Sequence, residues 1–249
     1  MKNAATTVAK LVEVALRRWS MIEAGDRILL GASGGKDSTA LALDLAAKRR
    51  WWPVHFELAA LHIATDVGTR HELGPIRARY EDAGIEWTEL EVPVIGRLKA
   101  GERMNCYWCS TQRRTELIRY ALANGFNKIA LGHHLDDIVE TLVMNMLHKA
   151  EISTMPPVVR YAKYPLSVIR PLALVEERQI VACARELGFD AFTCTCGYDG
   201  ASRRKEVREK IAALTEGSSK LKRNLFDSMS KVNVEYLVGR GSAEGEAGV

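Results

Sequence analysis

The chain has 249 residues, 47% of them hydrophobic and 27% charged, with 19 Gly and 7 Pro. This composition excludes disordered and collagen-like chains and supplies enough apolar side chains for a full core. The formal net charge of +4 permits a nucleic-acid partner without demanding one.

Residues 4–23 carry Val8, Leu11, Val12, Ala15, Leu16 and Trp19 at helical spacing and predict an amphipathic helix. This stretch lacks the apolar core of a signal peptide, and no run reaches the roughly 20 apolar residues that span a bilayer. The expectation is a cytoplasmic protein without a membrane segment. Residues 27–33 predict a short buried strand running into a glycine turn, 37–50 a helix, 54–65 a strand, 68–84 a helix and 85–94 a strand. After an irregular stretch come a helix over 109–125, a strand over 128–134 and a helix over 136–149. Beyond Met155-Pro156-Pro157 a last strand is expected near 166–169, then a helix near 175–187.

Strands alternating with helices of this length predict an α/β fold, an open parallel sheet with helices on both faces. Residues 1–200 are assigned to this domain and 201–238 to appended C-terminal helices. Residues 239–249 are small, polar and free of aromatics, and read as a disordered tail. Between residues 203 and 223 stand eight basic residues against three acids, either a solvated helix face or a surface for RNA.

Four of the five cysteines fall in two tight clusters, Cys106/Cys109 and Cys194/Cys196, while Cys183 sits alone in a helical pattern as a buried thiol. In an intracellular chain such clusters favour metal or redox chemistry over structural disulfides. A closed zinc site, an iron–sulfur cluster and a persulfide on a reactive thiol all suit them, and spacing alone favours zinc.

The most informative segment is Ala32-Ser33-Gly34-Gly35-Lys36-Asp37-Ser38, between the first strand and its helix. Adjacent glycines let backbone N–H groups approach an anion, and the helix N-terminus adds oriented donors and positive potential. It is no Walker A loop, because Asp37 follows Lys36 where a Ser or Thr is needed, and the G-x-G-x-x-G fingerprint is absent. The bland alternative is an ordinary strand–turn–helix corner, for which this string is too particular. The loop resembles the pyrophosphate loop of the N-type ATP pyrophosphatases, the PP-loop or adenine nucleotide alpha hydrolase-like superfamily. That resemblance implies cleavage of ATP to AMP and pyrophosphate with adenylation of a carbonyl oxygen.

Further stretches narrow the resemblance. Cys106-Tyr107-Trp108-Cys109 precedes Arg113-Arg114, and Leu131-Gly132-His133-His134-Leu135-Asp136-Asp137 ends the fourth strand. Met155-Pro156-Pro157, Ile169-Arg170-Pro171-Leu172 and Cys194-Thr195-Cys196-Gly197 follow. This order resembles the tRNA 2-thiocytidine synthetases (TtcA-type) across residues 27–197. The resemblance implies a [4Fe–4S] cluster on Cys106, Cys109 and Cys196, with one iron open to carry sulfur. The family's second pair is usually C-x-x-C whereas this chain has C-x-C, so Cys194 stays open as the third ligand. It further implies adenylation of O2 of a tRNA cytidine, at position 32, and its replacement by sulfur delivered through the cluster. Implied partners are tRNA, a sulfur donor such as a cysteine desulfurase, and a second copy of the chain as a homodimer.

Asp136 and Asp137 stand where a helix begins beyond a strand end, the ligand side of an open α/β sheet. They either complement the helix dipole or give a carboxylate to Mg²⁺ bridging the ATP phosphates. The expected catalytic set is Asp37, Asp136, Asp137 and Arg113. The expected nucleotide-binding set is Ala32, Ser33, Gly34, Gly35, Lys36, Asp37, Ser38, Gly132 and His133, with His134 lining the site. Competing readings are a tRNA 2-thiouridine synthetase, whose added N-terminal zinc ribbon has no counterpart before Cys106, a non-thiolating PP-loop ATPase such as lysidine synthetase, and a zinc-stabilised RNA-binding module.

Overall fold

The Ile28-Leu29-Leu30 run is fully buried because strand β1 (Asp26–Gly31) lies mid-sheet with parallel neighbours on both sides. In the computed structural model, which describes residues 3–68, 72–189 and 201–238, β1 pairs with β2 (Phe56–Thr65) on one flank and β4 (Lys128–Ala130) on the other. The full order is β3-β2-β1-β4-β6-β5, with β3 spanning Glu86–Val92, β5 Val158–Arg160 and β6 Ser167–Ile169. The chain therefore builds outward from β1 to β3 and then returns to β4 on the opposite side. That reversal opens a crevice beyond the C-terminal ends of β1 and β4, where open α/β sheets bind ligands.

One expectation needs correction. The sheet is not wholly parallel, because β5 runs antiparallel to β6, with Val158 opposite Ile169 and Arg160 opposite Ser167. Three residues after a Pro-Pro pair carry no alternation that could have announced a strand.

Helix α1 (Ala4–Arg18) is shorter than expected, as is α3 (Gly74–Asp82), which can begin only where Gly74-Pro75 sets its first turn. Helices α2 (Lys36–Arg49), α5 (Leu135–Lys149) and α6 (Glu177–Glu186) fall close to their predicted places. Helix α4 (Cys106–Ala123) starts earlier than expected, because Asn105 caps it by accepting from the Trp108 N–H at 2.8 Å. Cys106 and Cys109 thus belong to its first turn and not to a preceding loop.

The two faces of the sheet are covered unequally. Ile28, Leu30, Phe56, Leu58 and Ala60 face a large core shared with α1, α2, α3, α5, α6 and the C-terminal helices α7 (Ala201–Thr215) and α8 (Ser219–Ser228). Leu29, Leu61, Ile63, Ile129 and Val168 face a smaller one, closed by α4 through Leu117 and Ala121. No helix among the described residues is long and apolar enough to cross a membrane.

Candidate active site

The loop from β1 into α2 is shaped for close approach. Gly34 takes φ +81°, a conformation that disfavours any side chain. Gly35 caps α2 without a side-chain acceptor, so the first amides of the helix stay available to an anion. Ser38 Oγ bonds Ser33 Oγ and Gly35 O, both at 3.0 Å, and the Tyr80 hydroxyl donates to Ser38 O at 3.0 Å. The loop after β4 crosses directly over this turn. A Cβ on Gly132 would lie 2.9 Å from Ser38 N, so only glycine allows the two strand-end loops to touch.

Between these loops and α4 lies a cavity of about 310 Å³. Ala32, Ser33, Asp37 and Ser38 form one wall, Gly132, His133 and Asp137 a second, and Ser110, Arg113 and Arg114 of α4 a third. Leu61, Ile63, Leu117 and Leu131 supply its apolar part. Ser110 follows Cys109, so the cysteine turn stands at the rim. That turn is held in place: Trp108 Nε1–H donates to Val94 O at 3.0 Å, tying it to the chain just past β3.

His134, buried beneath the cavity, sits among three carboxylates. Its Nε2 lies 3.5 Å from Asp137 Oδ2 and 3.9 Å from Asp37 Oδ1, and its Nδ1 lies 3.7 Å from Asp136 Oδ2. Its backbone N–H donates to Asp137 Oδ2 at 3.1 Å. Asp37 Oδ1 is buried with no hydrogen-bond partner among the described residues. Burial pushes the Asp37 carboxyl above its ordinary value and the Asp137 charge adds to this, outweighing His134 and Lys36. A buried carboxylate oxygen left unsatisfied beside a second carboxylate fits a divalent cation.

Asp136 does not share that role. Lys222 Nζ lies 2.5 Å from its Oδ1, and the Glu177 N–H donates to its Oδ2 at 2.7 Å. Burial opposes its charge, but Lys222 and the Glu177 amide outweigh burial and hold its pKa below the ordinary value. Both oxygens are committed, so Asp136 anchors α8 to the site. Lys36 does not line the cavity; it pairs with Glu177 at 3.0 Å and with the cavity-lining Asp37 at 3.2 Å. Arg113 lines the cavity as expected, and Gly34 and Gly35 shape the loop without lining it.

The basic stretch divides. Lys222 serves Asp136, Arg223 donates to Leu174 O at 3.1 Å, Arg208 pairs with buried Glu140 at 2.7 Å and Lys210 with Glu206. Arg204 reaches Asp137 at 3.6 Å with its side chain half exposed. Lys205 and Lys220 face solvent. Among the described residues no three His, Cys, Asp or Glu side chains gather into a metal-binding group. The second cysteine pair, Cys194 and Cys196, lies outside the described residues, as do the Arg203 side chain and the tail from residue 239.

The sequence left three contributors without a role. Glu177 and Lys222 meet their partners across 141 and 86 residues, and Arg170 was noted only as part of a motif. Lys222→Met should lower the urea midpoint by the equivalent of about 1–3 kcal/mol, the cost of a charge-assisted bond between largely buried groups. Asp136 has a lowered pKa, so its stabilisation is present above the unfolded value near 4 and lost as pH falls through the folded value. Lys222 has a raised pKa, so its share is present below about 10.4 and lost as pH rises through its folded value. The gap between variant and parent should therefore be flat from about pH 5 to 9 and shrink beyond either end. A gap independent of pH across both limits counts against the ion pair.

The family model described as the PP-loop domain matches residues 3–214. The chain is 35% identical over 233 residues to the tRNA-cytidine(32) 2-sulfurtransferase of Geobacter metallireducens, covering 91% of this chain and 90% of the relative. It is also 35% identical over 228 residues to the protein of that name from Methylobacillus flagellatus, covering 90% of this chain and 75% of the relative. Among solved structures, the U34-tRNA thiolase NcsA from Methanococcus maripaludis with its [4Fe–4S] cluster superposes with a TM-score of 0.74 at 23% identity, over 95% of this chain and 80% of that one. A glycine-shaped anion loop at the sheet's reversal point, facing a helix that opens on a cysteine pair, is thus accompanied by similarity along nearly the whole chain: it belongs to the PP-loop family and, within it, to the tRNA-cytidine(32) 2-sulfurtransferases.

Proposed function

We propose that this protein uses ATP to replace the C2 oxygen of a tRNA cytidine, at position 32, with sulfur. The observation that carries the reading is the single cavity bounded by the α2 amides, the unsatisfied Asp37 carboxylate and the cysteine-bearing turn of α4. The α2 N-terminus and Ser33 and Ser38 hold the pyrophosphate portion of ATP, and Asp37 with Asp137 would hold a Mg²⁺, which would supply charge to offset that of the phosphates. His134 fixes the spacing of those two carboxylates. Arg113 meets the charge that develops on the α-phosphate when O2 attacks it and pyrophosphate leaves.

Adenylation turns O2 into part of a good leaving group, so a sulfur nucleophile adding at C2 expels AMP and takes the place of the oxygen. A [4Fe–4S] cluster on Cys106, Cys109 and Cys196 supplies, when bound, an iron that carries the sulfur. This chain's own contribution there is to place the first two thiols on one helical turn at the cavity rim, through the Asn105 cap and the Trp108–Val94 bond. A cysteine desulfurase is the expected sulfur source and a homodimer the working unit, acting on tRNA in the cytoplasm.

Nucleoside analysis of tRNA from a strain lacking the gene tests the reading. Thiolated cytidine should vanish and return with the intact gene. Loss of a thiolated uridine instead moves the substrate to uridine, and an unchanged thionucleoside profile overturns the assignment.

A further inference from the structure

A second cavity of about 150 Å³ opens off the first on the α4 side of the sheet, and Arg114, Leu117 and Leu131 line both. It is a slot between Ile118 of α4 and Val168 of β6, with Val159 and Tyr161 from the antiparallel β5 hairpin along its edge. Its walls are mostly aliphatic, with Arg114, Tyr161 and Arg170 as the polar members, and its volume suits one ring, not a whole nucleotide. Beside the junction of the two cavities stands Arg170, only 7% exposed, which lines the slot and bonds His133 of the first cavity.

Arg170 is a buried cation with no ion pair among the described residues, Asp137 acting on it only from longer range. Its Nη1–H donates to Pro156 O at 2.6 Å and its Nε–H to His133 Nδ1 at 3.4 Å, and no carboxylate among the described residues pairs with it. Burial and the neighbouring Arg114 charge lower its pKa to about 10, so it keeps its charge at neutral pH. A guanidinium has five N–H donors, and the bonds among the described residues use two of them. Burying a cation beside a second cation is costly unless an acceptor in the slot engages its remaining donors. The position calls for a flat ring whose acceptor edge points at the junction.

We propose that the slot receives the target base, flipped out of the RNA loop, and that Arg170 donates to the O2/N3 edge of a cytosine. Cytosine offers two adjacent acceptors there, which match a donor-only guanidinium. Uracil offers O2 beside an N3–H, which sets donor against donor. Arg170 is therefore a specificity-determining residue. The same placement turns C2 toward the ATP cavity, leaving the second lone pair of O2 for the α-phosphate. Tyr161, half-buried on the hairpin, provides an aromatic face for the ring, as single-stranded RNA recognition commonly uses. The hairpin that forms this wall is held to Arg170 through Pro156 O and through the Arg170 N–H to Pro157 O at 2.8 Å.

This inference rests on the function proposed above, and the experiment separates the two. Thiolation by the anaerobically purified holoprotein is measured on two tRNA transcripts that differ only by cytidine or uridine at the target position, with ATP affinity measured alongside. Arg170→Gln should lower cytidine thiolation by roughly tenfold to a hundredfold, the range of one bidentate base contact, and narrow the preference over uridine because glutamine offers both donor and acceptor. Val159→Trp, on the sheet edge, should plug the slot and suppress thiolation with ATP affinity unchanged, which keeps the test intact if Arg170→Gln fails to fold. If the parent selects cytidine and both variants keep that preference and rate, the slot assignment falls while the function stands. If the parent does not thiolate cytidine, the function itself is overturned and the slot with it.

Discussion

Asparagine in place of Asp37 should cut tRNA-dependent pyrophosphate release by roughly a hundredfold or more, a loss of the size seen when one preorganised charge-stabilising group is removed from an active site. The same change should leave the melting temperature equal to or above that of the parent. The Asp37 side chain is about a third exposed, but its Oδ1 is buried and lacks a partner among the described residues, and desolvation raises its pKa. The folded protein therefore carries a cost for keeping this group ionised at neutral pH, and a neutral amide of the same shape relieves it. A structural acid would behave in the opposite way, losing stability on substitution and little else. Adenylation at the parental rate by Asp37→Asn would remove this residue from the ATP site.

The cysteine turn should show the reverse separation. Cys106→Ala and Cys109→Ala should each lose thiolation completely and most of the iron, expected at about four atoms per chain in protein purified without oxygen. Pyrophosphate release should persist, since the anion-accepting amides belong to α2 and neither cysteine side chain lines the cavity. Cys183 supplies the control. It is buried at 3% exposure and burial pushes its thiol up to about 11, so it is an inert thiol in the core. Cys183→Ala should keep both iron and thiolation. Stoichiometric zinc in the parent would discard the cluster, and full thiolation by metal-free protein would point to a persulfide relay.

The parts legible in the sequence were those with a local cause. The buried Ile28-Leu29-Leu30 run, the Gly34-Gly35 corner and the alternation of strands with helices each announce themselves within a few residues. Two boundaries were misread for equally local reasons. Asn105 starts α4 before the cysteine pair, although that stretch looked irregular, and Gly74-Pro75 delays α3. Strand β5 owes its existence to its partner β6 and to nothing in its own three residues. The division of labour between Asp136 and Asp137 was invisible for the same reason. Adjacent in sequence, they differ because Lys222 and the Glu177 amide, brought in from distant helices, occupy one and not the other. Arg170 reads in the sequence as one basic residue before a proline, and only burial beside Arg114 gives it meaning.

The unequal covering of the sheet has a consequence for motion. On one face many helices share a common core, so opening any one of them exposes much apolar surface. On the other, α4 buries Glu116, Leu117 and Ala121, and its other core contacts, through Trp108, Ile118, Tyr120 and Leu122, are only partly buried. Cooperative units with few buried contacts open at the lowest free energy. Amide exchange should therefore release α4 well before α2 or β1, as a separate subglobal event with its own denaturant dependence. Exchange of α4 only together with β1 would contradict this. The layer that carries the cysteine pair, Arg113 and Arg114 can then open separately from α2 and the central strands, which would give a large RNA loop a way in without disturbing the glycine loop beneath it.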